Sequence, residues 1–168
     1  MKNFKLNEKD ILSNQDWTFP TTTYYGPGRF NEIAKFCEEF DIKNPLIVTD
    51  SGSKDLPFIK KLIVLLSKNN IKSDLFYNIS PNPRDDEISK GCDQFKNGSH
   101  DSIIAIGGGS AMDGGKSICL TVNSETPLWD FEFEQPVPKI TKENAFPKII
   151  TVPTTAGTGA ETEITAMV

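Results

Sequence analysis

Histidine is almost missing from this 168-residue sequence, with His100 the only one. A metal centre built on several imidazoles is therefore beyond these residues. Cysteine is scarce too: Cys37, Cys92 and Cys119 are odd in number, widely scattered and never spaced C-x-x-C. That excludes a disulfide framework and a zinc knuckle and leaves buried thiols as the expectation. There is no excess of positive charge. Eighteen Lys and Arg stand against 23 Asp and Glu, for a net charge of −5, so neither nucleic acid nor an anionic membrane is an implied partner. No apolar run approaches the roughly 18 residues needed to span a bilayer, and the lysine-bearing N-terminus lacks an apolar stretch behind it. A soluble, cytoplasmic chain with one core is expected, since the length suits a single domain.

What is present centres on Ser102 to Lys116, SIIAIGGGSAMDGGK. Ile103 to Ile106 read as a strand buried in a parallel sheet, stopped by three glycines. Gly107, Gly108 and Gly109 allow a sharp turn and leave their amides uncovered, so that an anion, phosphate above all, can approach without meeting a Cβ. Ser110 is the expected N-cap of the following helix, with Asp113 three residues on completing a capping-box-like pair. Other readings stay open at this point. The glycines could simply close a tight corner, with Asp113 and Lys116 as a one-turn salt bridge. Gly114-Gly115-Lys116-Ser117 ends as a triphosphatase phosphate loop ends, but Ser110 stands where that motif needs its first glycine. The G-x-G-x-x-G fingerprint fails as well, because Ala111 and Met112 follow Ser110 where a third spaced glycine is needed.

Around this unit, strands and helices alternate. Residues 1–17 read as a loose polar arm. Phe19 to Tyr25 has strand composition, and Gly26-Pro27-Gly28 breaks it. Phe30, Ile33, Ala34, Cys37 and Phe40 recur at helical spacing. PLIVTD, ending in Asp50, is a second buried strand, followed by a helix over Lys54 to Asn69. Ser73 to Tyr77 is a third strand, after which Pro81-Asn82-Pro83 stiffens a loop at a strand's carboxyl end, where parallel sheets bind ligands. Asp85, Asp86 and Glu87 then open a helix, suited to the positive end of its dipole. Thr121 to Asn144 reads as a proline-bounded surface excursion with a short extended piece around Trp129, Phe131 and Phe133. KIITV from Lys148 is a further strand. His100, just before the glycine-loop strand, is expected in a solvent-facing loop.

The last strand leaves through Pro153-Thr154-Thr155-Ala156-Gly157-Thr158-Gly159-Ala160-Glu161. Hydroxyls and glycines without long side chains make a donor-rich loop that can wrap a cofactor, although Thr158-x-x-Glu161 would serve equally as a capping box. Alternating strands and helices imply parallel strands that share one carboxyl edge. The glycine and threonine loops then lie together, and a dinucleotide would span them. The expected fold class is α/β: a predominantly parallel, Rossmann-like sheet with helices on both faces, with Phe19 to Tyr25 and the last residues as possible edge strands.

The chain resembles the iron-dependent (group III) alcohol dehydrogenase family in its N-terminal cofactor-binding domain, of dehydroquinate synthase-like fold. The pattern G-G-G-S-x-x-D-x-x-K stands at Gly107 to Lys116 and P-T-T-A-G-T-x-x-E at Pro153 to Glu161. The strand ending in Asp50, the Pro81-Asn82-Pro83 loop and Gly26-x-Gly28 match in order. The resemblance implies a dinucleotide-binding domain over residues 18–168, with NAD held through Gly107, Gly108, Gly109 and Ser110 at the pyrophosphate and Asp50 at the adenosine ribose. It implies Thr154, Thr155 and Thr158 along the adenine side and phosphates, Asp113 towards the nicotinamide, and Pro81 and Asn82 at the same edge. It also implies hydride transfer between a small alcohol or aldehyde and the cofactor, aided by a divalent metal, iron or zinc.

The family's metal ligands, an aspartate and three histidines, belong to a helical domain beyond Val168. The sequence therefore offers no catalytic or metal residue of its own, and a fragment or truncated gene product, inactive alone, is expected. A stand-alone nucleotide-binding module without catalysis is the alternative. The apolar ending Ile164 to Val168 suggests self-association, with a homo-oligomer as a possible state.

Overall fold

A computed structural model describes residues 15–17, 21–136, 138–139 and 145–168. Its main sheet holds four parallel strands, β3 (Pro45–Asp50), β4 (Asp74–Ile79), β5 (Ser102–Gly107) and β6 (Lys148–Pro153), in the order β4-β3-β5-β6. The helices are α1 (Ile33–Glu39), α2 (Pro57–Lys68), α3 (Asp85–Asn97) and α4 (Gly109–Thr121). The central strands β3 and β5 are buried on both faces, which is why they read as continuous apolar runs rather than alternating ones. Leu46, Val48, Ile103 and Ala105 pack with α3 and α4. Ile47, Ile104 and Ile106 point the other way, to α1 and α2. Helices on both faces of a parallel sheet are what the alternation implied. Among the described residues no helix is long and apolar enough to cross a membrane.

Glycine sets how deeply α4 sits. A Cβ on Gly115 would stand 2.5 Å from the Ala105 Cβ, and one on Gly114 would stand 2.7 Å from Ile79 Cδ1. Both glycines are packed inside a helix against strands, so the Gly114-Gly115-Lys116-Ser117 run is not a phosphate loop.

The structure departs from the sequence reading in several places. Of Phe19 to Tyr25, the described residues 21–25 do not extend the main sheet. They contain β2 (Thr23–Tyr25), which pairs antiparallel with β1 (Gln15–Trp17), so the arm ends in a strand. The Tyr24 ring stacks on Phe36 of α1 at 4.3 Å between centroids, which docks this ribbon on a helix instead. Residues 1–14 and 18–20 lie outside the described residues, as do 137 and 140–144 of the excursion. Leu128–Phe131 closes as a 3-10 turn, not an extended piece, and the Trp129 Nε1–H donates to Asp85 at 3.3 Å. Ile164 to Val168 forms no strand: the chain bends at Ile164, and the Thr165 carbonyl bonds to the Lys116 side chain.

His100 is buried, not solvent-facing. Its Nδ1–H donates to the Asn44 carbonyl at 3.0 Å, while Nε2 lies 3.4 Å from Asp74. Beside it, the Asp101 carboxylate accepts the amides of Lys43 (2.7 Å) and Asn44 (3.0 Å). Side chains thus staple the starts of β3 and β5, at the amino edge of the sheet. A cavity of about 440 Å³ beside this edge is lined by Lys35, Cys37, Glu38, Asp41 and Asn70, away from every candidate site residue. Burial, with the nearby Asp101 charge, pushes the Cys37 thiol up to about 11, and burial takes Cys119 to about 12. Both are inert thiols.

Candidate functional site

Parallel pairing brings four strand ends to one edge. Asp50 is level with Ile79, and Gly107 with Pro153. At the centre of this edge Gly107 has φ +148°, and a Cβ there would meet the Ala111 Cβ at 2.7 Å and Asp50 Oδ2 at 3.1 Å. The fold itself demands glycine at 107. At Gly108, with φ −80°, a Cβ would only touch Thr155 Oγ1 at 3.4 Å, and at Gly109 it would stand 3.6 Å from the Thr158 methyl. The protein alone would accept a Cβ at either position. Two glycines that folding does not require, facing a loop of threonines, leave a cradle that a Cβ would fill.

Helix α4 starts earlier than the sequence suggested. Gly108, not Ser110, is its N-cap, and the Gly108 carbonyl accepts the Met112 amide at 3.2 Å. Ser110 therefore lies in the first turn, and no capping box forms with Asp113. The amides of Gly109, Ser110 and Ala111 precede the first intrahelical bond and point out of the helix end, towards where an anion would sit. Asp113 lies one turn further, mostly buried and 3.7 Å from Lys116 Nζ. Burial raises its carboxyl above the usual range, against the opposing pull of Lys116 and the Met167 amide.

The threonine loop is locked beside the glycines because the Thr154 amide bonds to the Gly107 carbonyl at 2.8 Å. It turns at Gly157 and Gly159, both at positive φ. No helix follows, so Thr158 and Glu161 make no capping box; Thr158 Oγ1 accepts the Ala160 amide at 3.4 Å, closing a local turn. Thr154, Thr155 and Thr158 are all exposed on this edge. Asp50 has its carboxylate fixed by the Gly52 amide (3.0 Å) and the Ser53 hydroxyl (2.7 Å).

Pro81 and Asn82 follow β4 at the same edge but stand beyond β3 from the glycine loop, with Asn82 at φ +58°. Asp50, Gly107 to Ser110 and the three threonines are thus brought together, whereas Pro81 and Asn82 are set to one side. Sequence reasoning placed Glu87 at the opening of a helix, where it does cap, but missed the loop it holds. Its buried carboxylate accepts the Ser80 hydroxyl (2.8 Å) and the amides of Ser80 and Arg84 (3.2 Å each), holding the Pro81-Asn82-Pro83 loop from within. The hint was a helix-opening acid four residues after the last proline. It missed Thr49 too, fully buried beside Gly107 with its hydroxyl unpartnered among the described residues.

The donor set therefore fits a dinucleotide: helix-end amides at its middle, hydroxyls on one flank and a fixed carboxylate on the other. It does not fit a metal ion. Among the described residues no three His, Cys, Asp or Glu side chains converge.

Comparison with known proteins agrees with this geometry. The chain is 30% identical over 148 residues to the 1,3-propanediol dehydrogenase of Klebsiella pneumoniae, covering 87% of this chain and 37% of that protein. It is 31% identical over 158 residues to the choline dehydrogenase of Bacillus subtilis (strain 168), covering 93% and 39%. The chain thus spans little more than a third of the length of these relatives. Among solved structures, a 1,3-propanediol oxidoreductase superposes with a TM-score of 0.73 at 31% identity, over 81% of this chain and 34% of that one. A sulfoacetaldehyde reductase from Bifidobacterium kashiwanohense in complex with NAD+ gives 0.69 at 28%, over 81% and 35%. The family profile for iron-containing alcohol dehydrogenase matches residues 20–168, so this chain belongs to the iron-containing alcohol dehydrogenase family and corresponds to its N-terminal part.

Proposed function

We propose that residues 18–168 form the dinucleotide-binding domain of an NAD-dependent alcohol dehydrogenase acting between a small alcohol and its aldehyde. The observation that carries this reading is the pair Gly108 and Gly109, which the fold does not need and which border the threonine loop at a helix N-terminus. The nicotinamide, when bound, takes or returns a hydride. The amides of Gly109 and Ser110, with Gly107 and Gly108 giving close access, hold the pyrophosphate. Thr154, Thr155 and Thr158 donate hydroxyl bonds along the adenine side and phosphates, Asp50 accepts from the adenosine ribose, and Asp113 faces the nicotinamide end. Pro81 and Asn82 shape the outer wall of the cleft. The similarity to a sulfoacetaldehyde reductase in complex with NAD+ supports the cofactor, and the family supports the reaction class.

The described residues do not fit a metal, so no step is assigned to one here. Turnover would need ligands from outside these residues, and the 168-residue chain is expected to bind NAD without oxidising alcohols. Calorimetric titration with NAD, paired with an NADH-formation assay on short alcohols, tests this. Saturable NAD binding without turnover supports the reading; absence of NAD binding by a folded chain removes it.

A further inference from the structure

Lys116 lies in the middle of α4 with its side chain only 16% exposed, yet no substrate or cofactor group is needed to explain where its ammonium sits. Nζ donates to the carbonyl oxygens of Glu163, at 3.2 Å, and Thr165. In a straight strand, carbonyls two residues apart stand about 6.6 Å from one another, too far for one ammonium to bond both; the chain bends at Ile164, and the bend brings the two oxygens to the same Nζ. Three residues back on the same helix face, Asp113 receives the Met167 amide. A cation takes two carbonyls and a carboxylate takes an amide. Together they pin the bent strap to α4 through its main chain alone. The strap's side chains need contribute nothing, and Ile164 is 94% exposed.

The strap continues directly from the threonine loop. Between them the chain is folded tightly on Gly159, whose carbonyl accepts the amides of Thr162 (3.0 Å) and Glu163 (3.2 Å), while Thr151 Oγ1 donates to the Glu161 carbonyl at 3.1 Å. A turn this short passes a displacement at Glu163 back to Thr158. Thr158 is the residue that faces Gly109.

We propose that Lys116 is a positioning residue, a main-chain clamp that fixes the strap at 163–165 and, through the Gly159 turn, sets the gap between threonine loop and glycine loop. The consequence for the cofactor rests on the NAD reading above; the clamp itself does not. It is tested on the 168-residue chain with Lys116→Met, Lys116→Gln and Lys116→Arg. Amide hydrogen exchange is measured at 159–168 against 102–107, and NAD affinity is measured by calorimetry. Losing a charge-assisted bond to two carbonyls is expected to speed exchange in 159–168 and weaken NAD about tenfold in Lys116→Met, with 102–107 unchanged. Lys116→Gln, which keeps a neutral donor, is expected to fall between, and Lys116→Arg to restore most of both. Should the methionine variant unfold, the glutamine and arginine variants carry the same comparison. Unchanged exchange in the strap would overturn the clamp. Faster exchange with NAD affinity intact would overturn its role in positioning the cleft. A wild-type chain that binds no NAD removes the proposed function, while the exchange comparison still decides the clamp.

Discussion

Alanine at two neighbouring glycines is expected to have opposite consequences. At Gly107 the backbone sits at φ +148°, and the new methyl would stand 2.7 Å from the Ala111 Cβ in a helix that cannot retreat. Such backbone strain costs about 1–3 kcal/mol and overpacking of this kind another 1–3 kcal/mol, so about 4 kcal/mol of stability is lost in Gly107→Ala. For a chain of this size that lowers the melting midpoint by about 12 °C. At Gly109, by contrast, the methyl meets the Thr158 side chain at 3.6 Å, an ordinary contact, in a helical residue where alanine is the better helix former. Gly109→Ala is therefore expected to hold its stability or gain about 0.5 kcal/mol, while its Cβ occupies the cradle and weakens NAD at least about tenfold. Thermal melts and NAD titrations of the two variants separate the effects. A Gly109→Ala protein as unstable as Gly107→Ala would refute the structural argument, and one that binds NAD like wild type would refute the cradle.

Three further outcomes are expected. Gly115→Ala places a methyl 2.5 Å from the Ala105 Cβ and is expected to cost about 1–3 kcal/mol; adding Ala105→Gly should recover part of it in a double-mutant cycle, and strictly additive losses would count against the contact. Burial opposes ionisation of Glu87, but the bonds from Ser80 and Arg84 outweigh it and hold its carboxyl below the usual range. Its stabilisation is therefore present above the unfolded carboxyl pKa of about 4.3 and lost as pH falls through the lower folded value. Glu87→Gln is expected to cost about 1–2 kcal/mol at pH 7 in urea melts, a gap that closes on acidification; a gap independent of pH would contradict this. Finally, Asp50 is expected to repel the extra phosphate of NADP, so Asp50→Gly should narrow the NAD preference by about tenfold in parallel titrations, and an unchanged ratio would remove Asp50 from the ribose site.

The strands and their order of succession were legible in the sequence because β3 and β5 are buried on both faces and so carry unbroken apolar runs. The glycine and threonine loops were legible for a related reason: short residues at strand ends leave few other uses. Capping was misread. Ser110 has the right side chain for an N-cap, but Gly108 takes the position because the chain turns at Gly107, with φ +148°, and Gly108 is the last extended residue before the helix. His100 looked like a loop residue because its partners, Asn44 and Asp74, are distant in sequence. Lys116 was visible as a charge at i,i+3 from Asp113, yet its carbonyl partners could be found only once the strap had a path. Pattern reports periodic burial well, and it reports poorly on polar side chains whose partners are main-chain atoms far along the chain.

The stapled amino edge also bears on how this chain can change. Asp101, Asn44 and His100 fasten the starts of the central strands through main-chain partners, so at the opposite rim the sheet leans on Gly107 and little on the exposed threonines beside it. Ligand preference can then drift along the open rim while folding is guarded elsewhere. Libraries randomised at Thr155 and Thr158 should keep a high proportion of folded members, whereas the same diversity at Asn44 and Asp101 should chiefly yield chains that fail to fold.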